Sequence, residues 1–260
     1  MRVTILGCGS SAGVPLLDCP CPVCTSANPK NRRLRVSIAV ERAGSRVLVD
    51  TSPDLREQLL QNRIAHLDGV IYTHGHADHV HGIDDIRAIN HKINGALDAW
   101  SDAATLGHLK ERFGYAFDNG GPVEGFWLHP SLNSRLIEGP FRIGALDITP
   151  FPQSHGLYRE ATLGLRFGPF AYSTDVKEIP EEGFRALDGV KVWIVDCLSP
   201  RENPAHSHLE QTLAWIARVR PERAILTHMN HLMDYDALAA SLPPGVEPGY
   251  DGMTIDIPDS

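Results

Sequence analysis

The sequence predicts an α/β protein built as a four-layer αββα sandwich, two mixed β-sheets packed face to face with helices outside. Two observations carry this. Strand-like and helix-like segments follow one another in the order β-rich, α, β-rich, α, and the chain's densest polar loop stands between a strand-like and a helix-like run. The composition is that of an ordinary globular chain, 42% hydrophobic and 22% charged over 260 residues, with no internal repeat or low-complexity tract. A single domain over 1–260 is expected at this length.

Residues 3–6, 36–41 and 46–50 read as strands, the last two joined by a turn at 43–45. Ser52 and Pro53 open a helix through Asn62 in which Leu55, Leu59 and Leu60 share a face and the proline fits the first turn. A short buried-type strand at 69–72 delivers Thr73 and His74, and 83–93 has helical spacing. Another helix is expected over 103–113, and the Gly-rich run 118–125 is expected to form a loop over a site. Residues 141–151, 163–167, 170–173 and 192–196 read as strands. Residues 209–219 are helical, 224–227 is a strand ending in His228, and 237–242 is a last helix.

With 24 Lys+Arg against 32 Asp+Glu the net charge is −8. That disfavours a nucleic acid lying across the surface, which needs a clustered basic face. No apolar run approaches the roughly 18–20 residues of a membrane span, and the N-terminus lacks a basic region before an apolar stretch, so no membrane partner and a cytoplasmic address are expected. Five cysteines in such a chain read as metal ligands or small buried hydrophobes rather than disulfides. Histidine is the compositional outlier, with thirteen.

His74, His76, Asp78 and His79 form H-x-H-x-D-H. Imidazole and carboxylate are the usual ligands of zinc and related divalent ions, and so dense a loop aims two at one ion and two at its neighbour. The motif resembles that of the metallo-β-lactamase superfamily, which implies the αββα sandwich and three further ligands at strand ends. His155, Asp175 and His228 stand where strand-like runs stop. The resemblance implies that His74, His76 and His155 hold one metal, that Asp78, His79 and His228 hold the other, and that Asp175 bridges them. Asp50 reads either as a carboxylate orienting a ligating imidazole or as an ordinary strand-end turn residue. Two divalent ions less two ligand carboxylates leave about +2 for a hydroxide and an anionic substrate, and ions about 3.5–4 Å apart brace in-line attack on phosphorus.

Cys19, Cys21 and Cys24 form C-x-C-x-x-C in the loop 18–25. Three thiolates this close wrap a tetrahedral zinc if a fourth ligand arrives, and His231 is the candidate, giving one structural zinc beside two catalytic ions of manganese or zinc. With this second motif, the opening Gly7 to Gly13, Asp196-Cys197, the His206 region, 227–231 and 249–253, the chain resembles the PhnP-type cyclic phosphodiesterases nearly end to end. The resemblance implies hydrolysis of phosphoribosyl 1,2-cyclic phosphate to ribose 1,5-bisphosphate, extending to 2′,3′-cyclic nucleotides, by a hydroxide held at the ions. It also implies a homodimer, catalysis by His206 and the ligand Asp78, and His206 as the acid that protonates the leaving alkoxide. His208 is the rival for that role. Arg87, Asn90, Tyr115 and His208 are candidate substrate contacts, and 112–115 a candidate cap segment.

Gly7-x-Gly9 is not a dinucleotide fingerprint, Ser10 and Ser11 lack an evident base, and Cys8 and Cys197 read as core. A tRNA 3′-processing-type nuclease and a non-catalytic, zinc-stabilised binding protein are the competing readings.

Overall fold

The computed structural model of the chain describes residues 1–118 and 121–258. In chain order its elements begin with β1 Arg2–Gly7, β2 Ser37–Arg42, β3 Ser45–Val49, α1 Leu55–Gln61, β4 Gly69–Ile71, α2 Ala77–Val80, α3 Ile86–Ile93, β5 Leu97–Ser101, α4 Ala103–Phe113 and β6 Leu132–Leu136. They continue with β7 Phe141–Ile143, β8 Leu146–His155, β9 Glu160–Phe167, β10 Phe170–Ser173, α5 Glu181–Ala186, β11 Val192–Asp196, α6 Leu209–Val219, β12 Arg223–Thr227, α7 Tyr235–Ser241, β13 Val246–Pro248 and β14 Thr254–Asp256.

The strands form two seven-stranded sheets, in the orders β14-β1-β2-β3-β4-β5-β6 and β13-β12-β11-β10-β9-β8-β7. In the first, β14, β1, β2 and β3 pair antiparallel while β3 to β6 run parallel. In the second, β7 to β10 are antiparallel and β10 to β13 parallel. Parallel neighbours need crossover connections, which is why helices interrupt each parallel run and cover a face.

Strand alternation then sorts the side chains. Val47 and Val49 face the core between the sheets, with Ile38, Phe151, Leu165 and Ile225. Leu48 points the other way, into the layer formed with Leu55, Ile86 and Leu109 of the helices. Ile216 of α6 and Leu238 of α7 pack on the second sheet. The αββα layering expected from the element order is therefore the architecture.

The structure divides the single strand expected at 141–151 into the hairpin β7–β8, because Gly144, at φ +55°, turns the chain there. The helix expected at 83–93 starts with a 3-10 turn at Ile83–Asp85, and α3 follows. Strands β5, β6, β13 and β14 and helix α5 are not foreshadowed, nor is the short helix α2, which carries Asp78 and His79 within the stretch expected as a loop. The strands are three to five residues long, and β6 reads Leu-Asn-Ser-Arg-Leu, so neither length nor alternation marks them. Of the loop expected at 118–125, Asn119 and Gly120 lie outside the described residues. Among the described residues no helix is long and apolar enough to cross a membrane.

Candidate metal centre

The parallel strands of both sheets end at one place, where α/β sheets characteristically hold ligands. Asp50 follows β3, Thr73 and His74 follow β4, Asp175 follows β10, Asp196 ends β11 and His228 follows β12. His155 ends β8. Asp50, Asp175 and His228 carry positive φ, +64°, +48° and +56°, so the backbone reverses sharply as each side chain is delivered.

Two sets of donor atoms that share Asp175 result, each mutually within 4.8 Å, His74, His76, His155 and Asp175, and Asp78, His79, Asp175 and His228, with a third, Asp196, His206 and His228, beside them. The first two are the sets expected from the sequence, Asp175 belonging to both. Its Oδ2 lies 3.8 Å from His74 Nε2 and 3.8 Å from His155 Nδ1, and its Oδ1 lies 3.0 Å from His79 Nε2 and 3.4 Å from His228 Nε2. Ligands about 2.0–2.1 Å from a tetrahedral ion stand about 3.3 Å apart. The spacing is thus that of coordination edges, with one carboxylate oxygen facing each set.

Polar satisfaction supports the same fit. Buried nitrogens normally have hydrogen-bond partners. Here His74 Nε2, His79 Nε2 and both ring nitrogens of His155 and His228 are buried and have none. The donor set fits divalent metal ions.

The remaining nitrogens are held from behind. Asp50, fully buried, accepts from Thr73 N–H at 2.8 Å, from the Thr73 hydroxyl at 2.8 Å and from His79 Nδ1 at 2.7 Å. Because the Thr73 hydroxyl has one hydrogen, given to Asp50, it accepts from His74 Nδ1 at 3.0 Å. One carboxylate therefore fixes the tautomer of a histidine in each set, leaving both Nε2 atoms free for an ion. Of the two readings of Asp50, the structure selects the orienting one. His76 Nε2 pairs with Glu160 Oε2 at 3.0 Å.

The electrostatics match a cation site. Burial, with His79 adding to it, pushes His74 well below the ordinary imidazole value, and burial likewise takes His155 down to about 4. Burial opposes the His79 cation too, but Asp175, Asp78 and Asp50 outweigh it and hold that pKa well above normal. Asp175 and Asp78 lie below the usual carboxylate range despite burial, held there by neighbouring imidazoles. A buried pocket that retains a proton this firmly is one that stabilises positive charge, and an ion binding there releases the proton.

His206 stands beside both sets. Its Nδ1 lies 3.2 Å from Asp196 Oδ2 and 3.9 Å from Asp175 Oδ2, and its ring stacks on His228 at 4.7 Å between centroids. Burial lowers its pKa, but the Asp196 hydrogen bond and the nearby carboxylates raise it to about 9. Asp196 also holds Val176 N–H at 2.8 Å and lies 3.8 Å from His228 Nδ1. The sequence alone assigns Asp196 no role. The available signal is an acid closing an apolar, wholly buried strand, akin to Asp50 after the buried end of β3.

The other expected site residues divide. Cys19, Cys21 and Cys24 bring their sulfurs within 4.8 Å of one another as free thiols. Leu16 N–H donates to Cys24 Sγ at 3.3 Å and Cys24 N–H to Cys21 Sγ at 3.4 Å. His231 meets them through its backbone, its carbonyl 3.8 Å from Cys21 Sγ, and its ring is not in the thiol group. Asn90 is corrected: it is buried, its amide donating to Gly95 O and Ser131 O and accepting from Ser131 N–H, so it ties a turn together and has no donor left for a ligand. Tyr115 is bonded to Asp84, and Arg87 reaches Leu128 O. Neither joins the donor sets. His208 precedes α6 at its N-cap without a capping hydrogen bond. Cys8 and Cys197 are fully buried.

A family model described as "Beta-lactamase superfamily domain" matches residues 45–229. The octanoyltransferase of Porphyromonas gingivalis is 34% identical over 256 residues, 97% of this chain and 51% of that protein, so the chain spans about half its length. A solved structure described as a new diphosphatase from the PhnP family has a TM-score of 0.90 at 31% identity, covering 99% of this chain and 98% of that one. Zinc-bound PqqB from Methylobacterium extorquens has a TM-score of 0.76 at 20% identity over 99% and 100% of the two chains, a likeness of fold. With two donor sets sharing one carboxylate on a shared sandwich, the chain belongs to the metallo-β-lactamase superfamily and, within it, to the PhnP family.

Proposed function

We propose that this hydrolase is a metal-dependent phosphodiesterase that opens a small cyclic phosphate, phosphoribosyl 1,2-cyclic phosphate first and 2′,3′-cyclic nucleotides next. One observation carries the reading: His206, poised to give a proton, stands within 4 Å of the carboxylate that both donor sets share. Two divalent ions, held by His74, His76 and His155, by Asp78, His79 and His228, and by Asp175 between them, would supply Lewis acidity and bring the pKa of water towards neutrality.

The chain's own residues do the rest. Asp50 orients His79 directly and His74 through Thr73. Asp196 takes the Nδ1 hydrogen of His206, which leaves Nε2–H as the acid, and that hydrogen bond with the surrounding carboxylates favours the protonated imidazole. Ring opening expels an alkoxide, a poor leaving group, and protonation by His206 removes that penalty. The three thiols would hold a structural zinc that ties the 19–24 loop to the segment carrying His228, with His231, whose backbone already meets Cys21 and whose ring would have to turn to join the thiols, as the candidate fourth ligand.

The PhnP-family neighbour described as a diphosphatase favours a second reading, cleavage of a P–O–P bond at the same site. A panel of ribose 1,2-cyclic phosphate with and without a 5-phosphate, 2′,3′-cyclic nucleotides, nucleoside diphosphate esters and precursor tRNA, offered to metal-loaded protein, tests both readings. Fastest turnover of a cyclic phosphate supports the first, and fastest turnover of a diphosphate ester replaces it with the second. Fastest cleavage of precursor tRNA, or no turnover by wild type above His76→Ala, refutes both.

A further inference from the structure

Helix α4 brings an unclaimed pair of donors against the metal loop. Arg112 Nη1 donates to Gly75 O at 2.5 Å. His108, one turn earlier on the same face, packs on the same glycine: a Cβ at Gly75 would fall 3.0 Å from His108 Nδ1 and 3.4 Å from His108 Cβ. Gly75 lies between the ligands His74 and His76, about 3.8 Å from each in Cα position. The missing side chain is what lets α4 approach. Both side chains are exposed.

Arg112 uses one of its five N–H donors on the loop, and among the described residues no carboxylate pairs with it. Some exposed arginines, such as Arg2, Arg142 and Arg218, are matched to acids, while Arg32, Arg63, Arg201 and Arg220 are exposed with no carboxylate partner among the described residues, so what sets Arg112 apart is its place against the carbonyl between two ligands. With one N–H held against the loop that carries His74 and His76, its remaining N–H donors are placed for an anion beside the two donor sets. The other exposed group on this loop, Glu160 at His76, repels anions, so α4 is the flank that offers one a partner.

We propose that Arg112 and His108 form a subsite for a second, non-reacting phosphate of the substrate. The planar guanidinium fork matches a phosphate dianion bidentately, and the His108 ring adds a neutral or charged N–H. The substrate class is a phosphate ester that also carries a terminal phosphomonoester. Only the identity of the reacting group rests on the phosphodiesterase reading.

The test is calorimetric titration of the metal-loaded full chain with ribose 5-phosphate, joined to kcat/KM for ribose 1,2-cyclic phosphate with and without the 5-phosphate. Arg112→Ala is expected to weaken ribose 5-phosphate binding about 10-fold or more, with partial recovery in Arg112→Lys and a smaller loss in His108→Ala. The preference for the phosphorylated ring is expected to fall by a similar factor. If wild type opens neither ring yet the binding loss is seen, the phosphodiesterase reading fails and the subsite stands. If ribose 5-phosphate binds wild type and Arg112→Ala alike, or binds neither, the subsite is overturned. It is also overturned if Arg112→Ala slows both rings equally, which would make the guanidinium a brace for the Gly75 carbonyl.

Discussion

Replacing Asp50 by asparagine isolates the orientation of the ligating histidines from their presence. Asparagine tolerates the left-handed backbone at φ +64°, so the substitution spares the turn. It cannot spare the hydrogen bonds. Asp50 Oδ2 accepts from both His79 Nδ1 and the Thr73 hydroxyl, while Oδ1 accepts from Thr73 N–H. If the amide nitrogen takes the Oδ1 position, it faces the Thr73 N–H and strands a buried donor, at about 1–3 kcal/mol. If it takes the Oδ2 position, it donates to His79 Nδ1 and moves that ring's proton onto Nε2, the atom needed by the ion. Either way the negative charge behind His79 and, through Thr73, behind His74 is lost. Losing such outer partners costs roughly 10–100-fold in metal affinity, or about 1.4–2.8 kcal/mol. Competition titration of metal-depleted protein against a chromophoric chelator reads each ion's dissociation constant, with a melting curve to confirm folding. Values within about twofold of wild type in a folded variant would show that Asp50 does not orient the ligands.

His206→Gln is expected to slow ring opening by about 10²–10⁴-fold, yet to slow bis(p-nitrophenyl) phosphate far less, because nitrophenolate leaves without a proton; equal losses on the two substrates would rule out the acid role. Cys21→Ser is expected to release one zinc per chain and lower the melting temperature, as read by elemental analysis and calorimetry, and unchanged metal content would remove the structural zinc. Asp251 has its carboxyl pushed up to about 7, burial outweighing the N–H bonds from Leu34 and Cys8 and the charge of Arg33. A folded-state value above the unfolded one of about 3.8 makes its contribution greatest below pH 4, declining as pH rises through about 7. Asp251→Asn, weakened throughout by one lost N–H bond, should therefore gain on wild type by an order of a few kcal/mol between pH 4 and 7 in denaturant titrations, and a pH-independent difference would refute the shift.

Legibility in the sequence followed how local the signal was. The loop 74–79 declares itself because four ligands fall within six residues, and the long amphipathic helices and buried strands declare themselves by period. Asn90 misled because a polar residue near a loop reads the same whether it meets a ligand or satisfies backbone groups, and here it does the second. Arg112 went unassigned as a contact because helical spacing shows which face it shares with His108 and nothing about what that face meets. The paired role of Asp50 and Asp196 was half visible, since each is an acid ending a buried strand, but their partners sit on other strands.

The sequence by itself determined the kind of chemistry: a dense imidazole and carboxylate donor set, a separate thiol set, and element order enough for an αββα sandwich. Only the tertiary structure decided that Asp175 turns one oxygen to each donor set, that Asp50 governs a histidine in both, and that α4 sets an unmatched guanidinium against Gly75. Those facts arise where the ends of strands from two different sheets converge. Contact there is set by how the sheets pack, over separations in sequence that no local pattern spans.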